Sequence, residues 1–253
     1  MQAAPPRPPG PKRQRTLDDY RVTASSASTV PIVDPTRRTV VSVYDEDGSA
    51  LAPWRERGYD CVQLGGVAAL HAVILAPESV AFACASPPSR DLSVAGARHW
   101  KRKREKNPSF QEDAVALVRE IRDVFEAWGC PYYIANPASS QLRKLWREPN
   151  HTYQPYEYGA YLDPTDKHPL YPEFIPAQDA YSQQQGLWVG GGFRMPAGRP
   201  VEPEWKYFVS ARRGAASTRR MSPVLYSNWN ARGARASTPR GFAKALCQRL
   251  HSE

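Results

Sequence analysis

Cysteine is scarce. There are four in 253 residues, Cys61, Cys84, Cys130 and Cys247, and no two form a Cys-x-x-Cys pair. That spacing excludes a zinc ribbon or a disulfide framework as the organising device, so no metal is expected, and it suits a reducing compartment. Long apolar stretches are missing as well. Nothing approaches the roughly 18 apolar residues of a membrane span. The Pro- and Arg-rich N-terminus lacks the apolar segment of a secretory signal, so an intracellular protein with no membrane partner is expected. Acidic residues are in the minority, 25 against 34 Lys and Arg, a formal +9. An excess of positive charge points to a polyanionic partner, nucleic acid first, although a solubilising surface gives the same sum.

What is present divides the chain in two. Residues 1–36 read as a disordered, basic, Pro-rich tail, because Pro5-Pro6-Arg7-Pro8-Pro9-Gly10-Pro11 supports neither helix nor sheet. Within it Gln14, Leu17 and Tyr20 are spaced so that one helical turn puts Leu17 and Tyr20 on a common face. The pattern resembles the box with which replication and repair proteins bind a sliding clamp, although Arg21 replaces its second aromatic.

Residues 37–253 read as one α/β domain. Thr39-Val40-Val41-Ser42-Val43-Tyr44, then 50–57, then Tyr59-Asp60-Cys61-Val62-Gln63-Leu64 give strand, helix, strand, hence a mostly parallel sheet with helices on both faces. Ser109 and Glu112 predict a capping box for a helix whose apolar positions run Val115, Val118, Ile121, Phe125. From about 149 to 205 Tyr, Pro, His and Gly dominate, which reads as an irregular, partly β insertion packed on the sheet edge, with Gly186-Leu187-Trp188-Val189 as a strand. Arg219-Arg220 read as part of a basic loop, and Ser237-Thr238-Pro239 as the cap of a final helix.

Two stretches carry chemistry. Val80-Ala81-Phe82 runs into Ser86-Pro87-Pro88-Ser89, a rigid turn that presents Ser89 at the carboxyl edge of the sheet, where α/β proteins keep their sites. Arg98-His99-Trp100-Lys101-Arg102-Lys103-Arg104 is the densest positive cluster, the type of surface that follows a phosphate backbone, with Trp100 as an aromatic at its start.

Taken together, Pro53-Trp54-Arg55-Glu56-Arg57-Gly58-Tyr59-Asp60, Ala95-Gly96-Ala97-Arg98-His99-Trp100, Asn107-Pro108-Ser109-Phe110-Gln111-Glu112, Tyr156-Glu157-Tyr158-Gly159 and Ser237-Thr238-Pro239-Arg240-Gly241-Phe242 resemble, in order, the compact phage- and virus-type cytosine-C5 DNA methyltransferases. The resemblance implies a Rossmann-like S-adenosylmethionine-dependent fold, a flipped target base, and a setting in the nucleus or cytoplasm of a virus-infected cell. It places the cofactor at Tyr44, Asp45, Gly48 and Leu64, the catalytic turns at Ser89 and at Ala135-Asn136-Pro137, and DNA along Arg98, Trp100, Lys101, Arg102, Lys103 and Arg104.

The same resemblance exposes what is changed. Where the family has a nucleophilic cysteine this chain has Ser89, a poorer nucleophile without an adjacent base. Ala135 stands for the glutamate that protonates the ring. Leu64-Gly65-Gly66 lacks the acid that holds the ribose, and Ser182-Gln183-Gln184-Gln185 replaces a Lys-Lys-Thr-like stretch. The expectation is a DNA-binding homologue inactive in methyl transfer. The alternatives are an active transferase at C5 or N4 of cytosine, another base-modifying enzyme using the same pocket, and a protein-interaction module.

Overall fold

The computed structural model describes residues 38–212, 215–226 and 232–251. The predicted tail, with Gln14, Leu17 and Tyr20, lies outside the described residues. Six strands form the central sheet: β1 (Thr39–Val43), β2 (Asp60–Leu64), β3 (Val80–Ala85), β4 (Tyr132–Pro137), β5 (His151–Tyr153) and β6 (Gln185–Gly190), in the order β2-β1-β3-β4-β6-β5. The pairings among β1, β2, β3 and β4 are parallel. Strand β6 runs antiparallel to both of its neighbours, so β5 points the same way as β4. The chain is therefore mixed α/β with a mostly parallel sheet.

The helices are α1 (Ala52–Arg55), α2 (Val67–Ala72), α3 (Trp100–Lys106), α4 (Phe110–Trp128), α5 (Leu142–Leu145), α6 (Pro223–Tyr226), α7 (Arg232–Ala236) and α8 (Arg240–His251). Strand alternation sorts the core into two halves. Val41, Val43, Ala83, Ala85, Tyr132 and Ile134 face one way and pack on Leu70 of α2 and on Val115, Val118, Ile121 and Phe125 of α4. Val40, Phe82, Cys84, Tyr133 and Leu187 face the other way and pack on Trp54 of α1 and on Phe242, Ala245 and Leu246 of α8. Period-two strands buried on both faces and helical stripes at i, i+3, i+4 are the reason for this sandwich.

Four local expectations are corrected. Asn107, not a capping box, starts α4: its Oδ1 accepts from the Ser109 backbone N–H and hydroxyl, and its Nδ2 donates to Asp113 at 2.8 Å. The insertion does not merely pack on the sheet edge, since β6 adds directly to β4 over six residue pairs. Arg219 and Arg220 lie on a strand, because β7 (Lys206–Arg212) and β8 (Ala215–Met221) pair antiparallel. The start of α8 is capped from a distance: the buried Asp179 carboxylate accepts from the Gly241 backbone N–H at 2.8 Å. Gly241 is needed there, since a Cβ would meet the Tyr158 carbonyl oxygen at 2.4 Å.

Candidate functional site

The order β2-β1-β3 reverses direction at β1, so the carboxyl ends of β1 and β3 form a topological switch point. The turns that follow β3 and β4 stand side by side at this edge. Asn136 joins them, its Nδ2 donating to the Pro87 carbonyl at 3.1 Å. A cavity of about 110 Å³ opens here, lined by Ser86, Pro87, Ser89, Ala135, Asn136 and, across from them, Arg235 and Ser237. Tyr133 and Tyr153 also line it, and both rings are buried. Sequence reasoning placed Ser89, Ala135 and Asn136 at one site, and the structure brings them together. It missed Arg235, Ser237, Gln183 and Gln185 in the wall. The Ser-Thr-Pro block of the resemblance and the altered Gln run were the only signals for them.

No thiol, imidazole or carboxylate belongs to the residues lining this cavity. Asp91, the nearest acid in sequence to Ser89, is engaged elsewhere: Lys103 of α3 donates to its carboxylate, and Gln111 donates to its carbonyl oxygen at 3.1 Å. Cys84, the thiol nearest Ser89 in the chain, does not supply a nucleophile here. It is buried within β3, and burial, reinforced by Asp45, raises its pKa far above an ordinary thiol's.

A buried polar chain stands behind the wall. His168 accepts at Nδ1 from the backbone N–H groups of Leu170 at 3.3 Å and Tyr171 at 3.1 Å. Its proton therefore sits on Nε2, which donates to Ser237 Oγ at 3.3 Å, and Ser237 meets Ser49 Oγ at 3.1 Å. In this tautomer His168 positions Ser237 and does not serve as its base. Burial lowers the His168 pKa. The neutral form is the folded form, so the stability it supplies is present above its ordinary 6.5 and is lost as the pH falls through its lower folded value.

The predicted cofactor residues lie beside β1 and β2. Tyr44 adopts φ 61° and its ring rests over Gly66, where a Cβ would meet ring atoms at 3.2–3.3 Å. Gly48 takes φ 71° in the turn that follows. Gln63 of β2 donates to the Asp45 carbonyl at 2.5 Å, and Arg55 donates to Gln63 at 3.0 Å. Asp45 is buried, accepts from the Ala50 N–H at 3.4 Å, and has no partner for Oδ2. Burial, then the adjacent Asp47 charge, pushes its pKa up to about 6.

The sign for such an acid is fixed. Asp45 favours its protonated form when folded, so that stability is present below 3.8 and is lost as the pH rises through about 6. Asp45→Asn keeps an acceptor for Ala50 and removes the buried charge. It is expected to stabilise the protein by about 2–3 kcal/mol at pH 7 and by much less at pH 4. Thermal midpoints at the two pH values check this.

The basic cluster forms α3 and the turn before it. Arg98, Lys101, Arg102 and Arg104 are exposed. Lys103 differs from them, since it is spent on Asp91 and lies 5.8 Å from the Phe110 ring centroid. Trp100 is also not an open stacking platform: it is half-buried and its indole nitrogen is enclosed. Both were expected among the DNA contacts, and packing assigns both to anchoring the helix instead.

No known protein family, curated protein or solved structure matches the chain. Among the described residues no cluster of His, Cys, Asp and Glu is arranged to hold a metal, and no helix is long and apolar enough to cross a membrane.

Proposed function

We propose that this protein binds duplex DNA across the edge of its sheet that carries Ser89, and that it does not transfer methyl groups. One observation carries the proposal. The basic helix α3 is pinned through Lys103 to Asp91, two residues beyond Ser89, and the cavity beside Ser89 has none of the groups that covalent chemistry on a base requires. A scaffold that keeps a phosphate-binding surface next to a non-reactive pocket suits binding rather than turnover. An active transferase using Ser89 would need a base, and the two candidates are committed, Asp91 to Lys103 and His168 to donating toward Ser237.

S-adenosylmethionine does not fit the residues present. The end of β2 offers Leu64, Gly65 and Gly66 where ribose hydroxyls need an acceptor, and the Tyr44 ring occupies the space over Gly66. The Rossmann-like assignment belongs to the same proposal, supported by the switch-point topology and the motif order; the viral setting rests on the motif order alone, and a sliding-clamp partner on Gln14, Leu17 and Tyr20 in the sequence.

The test has two arms. Gel-shift titration with duplex DNA over a salt series should show binding whose log K falls linearly with log salt. Incubation with radiolabelled S-adenosylmethionine and the same duplex should give no incorporation. Robust methylation at cytosine C5 would sink the inactive reading, and salt-insensitive or absent DNA binding would sink the other half.

A further inference from the structure

Strands β7 and β8 form a two-stranded sheet separate from the central one. Ribbons of two strands are marginal on their own in water, and their edges invite a partner. Residues 206–221 hold Lys206, Arg212, Arg213, Arg219 and Arg220 and no acidic residue. Tyr207 pairs with Arg220 and Val209 with Thr218, and directly opposed residues share a face. That face is open: Tyr207 is 66% exposed and Val209 72%, and Thr218 and Arg220 are exposed beside them. Arg220 also lies 4.4 Å over the Trp205 ring, which orients its guanidinium.

From this we infer that the β7–β8 ribbon is a second nucleic-acid contact that inserts into a groove of duplex DNA. The inference rests on the DNA-binding reading above and adds an element to it. Its charge selects the partner class, because the four cations of its strands, Lys206, Arg212, Arg219 and Arg220, without an acid among them, repel a basic partner and gain little from a neutral apolar one. Its dimensions suit a major groove about 12 Å wide, which admits two strands spaced about 4.8 Å apart. On that face Tyr207 and Val209 offer apolar contact to base edges and Arg220 reaches phosphate or guanine, while Arg219, paired with Phe208 on the opposite face, reaches a backbone phosphate. The placement is consistent. The chain leaves β8, passes through α6, and reaches Arg235 and Ser237 in the cavity wall opposite the turn to which α3 is pinned.

The full chain and two variants are compared for binding to a fluorescent 25-base-pair duplex in a salt series. Arg219→Ala with Arg220→Ala should weaken binding at least tenfold at low salt and reduce the salt slope by about 2, near 0.9 per lost phosphate contact. Tyr207→Ala should weaken binding several-fold with the salt slope unchanged. Thermal midpoints should stay at the wild-type value, since these side chains are exposed. Wild-type affinity and slope in the double variant, alongside losses when α3 is altered, would overturn the ribbon contact and leave the DNA-binding reading standing. A wild-type chain that fails to bind the duplex would overturn both. Loss of binding to an acidic protein partner, with duplex binding intact, would also overturn the ribbon's assignment to nucleic acid.

Discussion

Phe242→Ala should destabilise the protein by about 3–5 kcal/mol, the usual cost of emptying a buried phenylalanine site. Phe242 is fully buried and is the residue through which α8 grips the sheet. Its ring stacks on Tyr153 with centroids 4.1 Å apart and meets Tyr158 at 5.1 Å and Tyr133 at 5.8 Å, both at steep angles. Removing it leaves three aromatic rings facing a void, and neither α8 nor β4 can close the gap without shearing. Urea denaturation should show a lower midpoint with an unchanged slope, and the thermal midpoint should drop by roughly 6–20 °C. The effect reaches the site because Tyr133 and Tyr153 line the cavity beside Ser89. A loss below 1 kcal/mol would mean that α8 is not held in this way.

The second large effect concerns DNA. Replacing Arg98, Lys101, Arg102 and Arg104 together with Ala should weaken duplex binding on the order of a hundredfold or more at low salt. It should also reduce the salt slope by about 3–4, near 0.9 for each phosphate contact removed. The four side chains are exposed, so the fold should be unaffected. Lys103→Ala provides the contrast. It removes the ion pair with Asp91 that fastens α3 to the Ser89 turn, and it should act through the placement of the helix. Its expected signature is a loss of affinity with little change in salt slope. Unchanged binding in the fourfold variant would remove α3 from the interface.

Several parts of this molecule were legible because they are local. The run from Thr39 to Val43 and the spacing of Val115, Val118, Ile121 and Phe125 encode a buried strand and an amphipathic helix, and both are present with their apolar residues in the core. The Pro87-Pro88 turn and the turn bearing Asn136 could be assigned to one edge because parallel strands carry their carboxyl ends together. Other features were illegible because their partners are remote. The cap of α8 comes from Asp179, 62 residues before Gly241. The Ser49–Ser237 contact spans 188 residues, and the His168–Ser237 bond 69. The strand at Gly186–Val189 was legible from its local sequence, but its antiparallel place between β4 and β5 was not, because that depends on pairing with residues far off in the chain. Basic charge at 219 and 220 looked like loop because the pairing that makes it a strand depends on β7.

By itself the sequence determined the class of the fold, the two buried faces of the sheet and the presence of a serine and an alanine, not a thiol and a carboxylate, at positions 89 and 135. These depend on residue type and short-range periodicity. Only the tertiary structure decided which charges are available to a partner. Lys103 and Arg104 are neighbours in the chain with nearly the same chemistry, yet Lys103 is bound to a carboxylate and Arg104 faces solvent. The difference arises from packing: the α3 backbone is placed so that one side chain reaches the turn after β3 and the next points away from it.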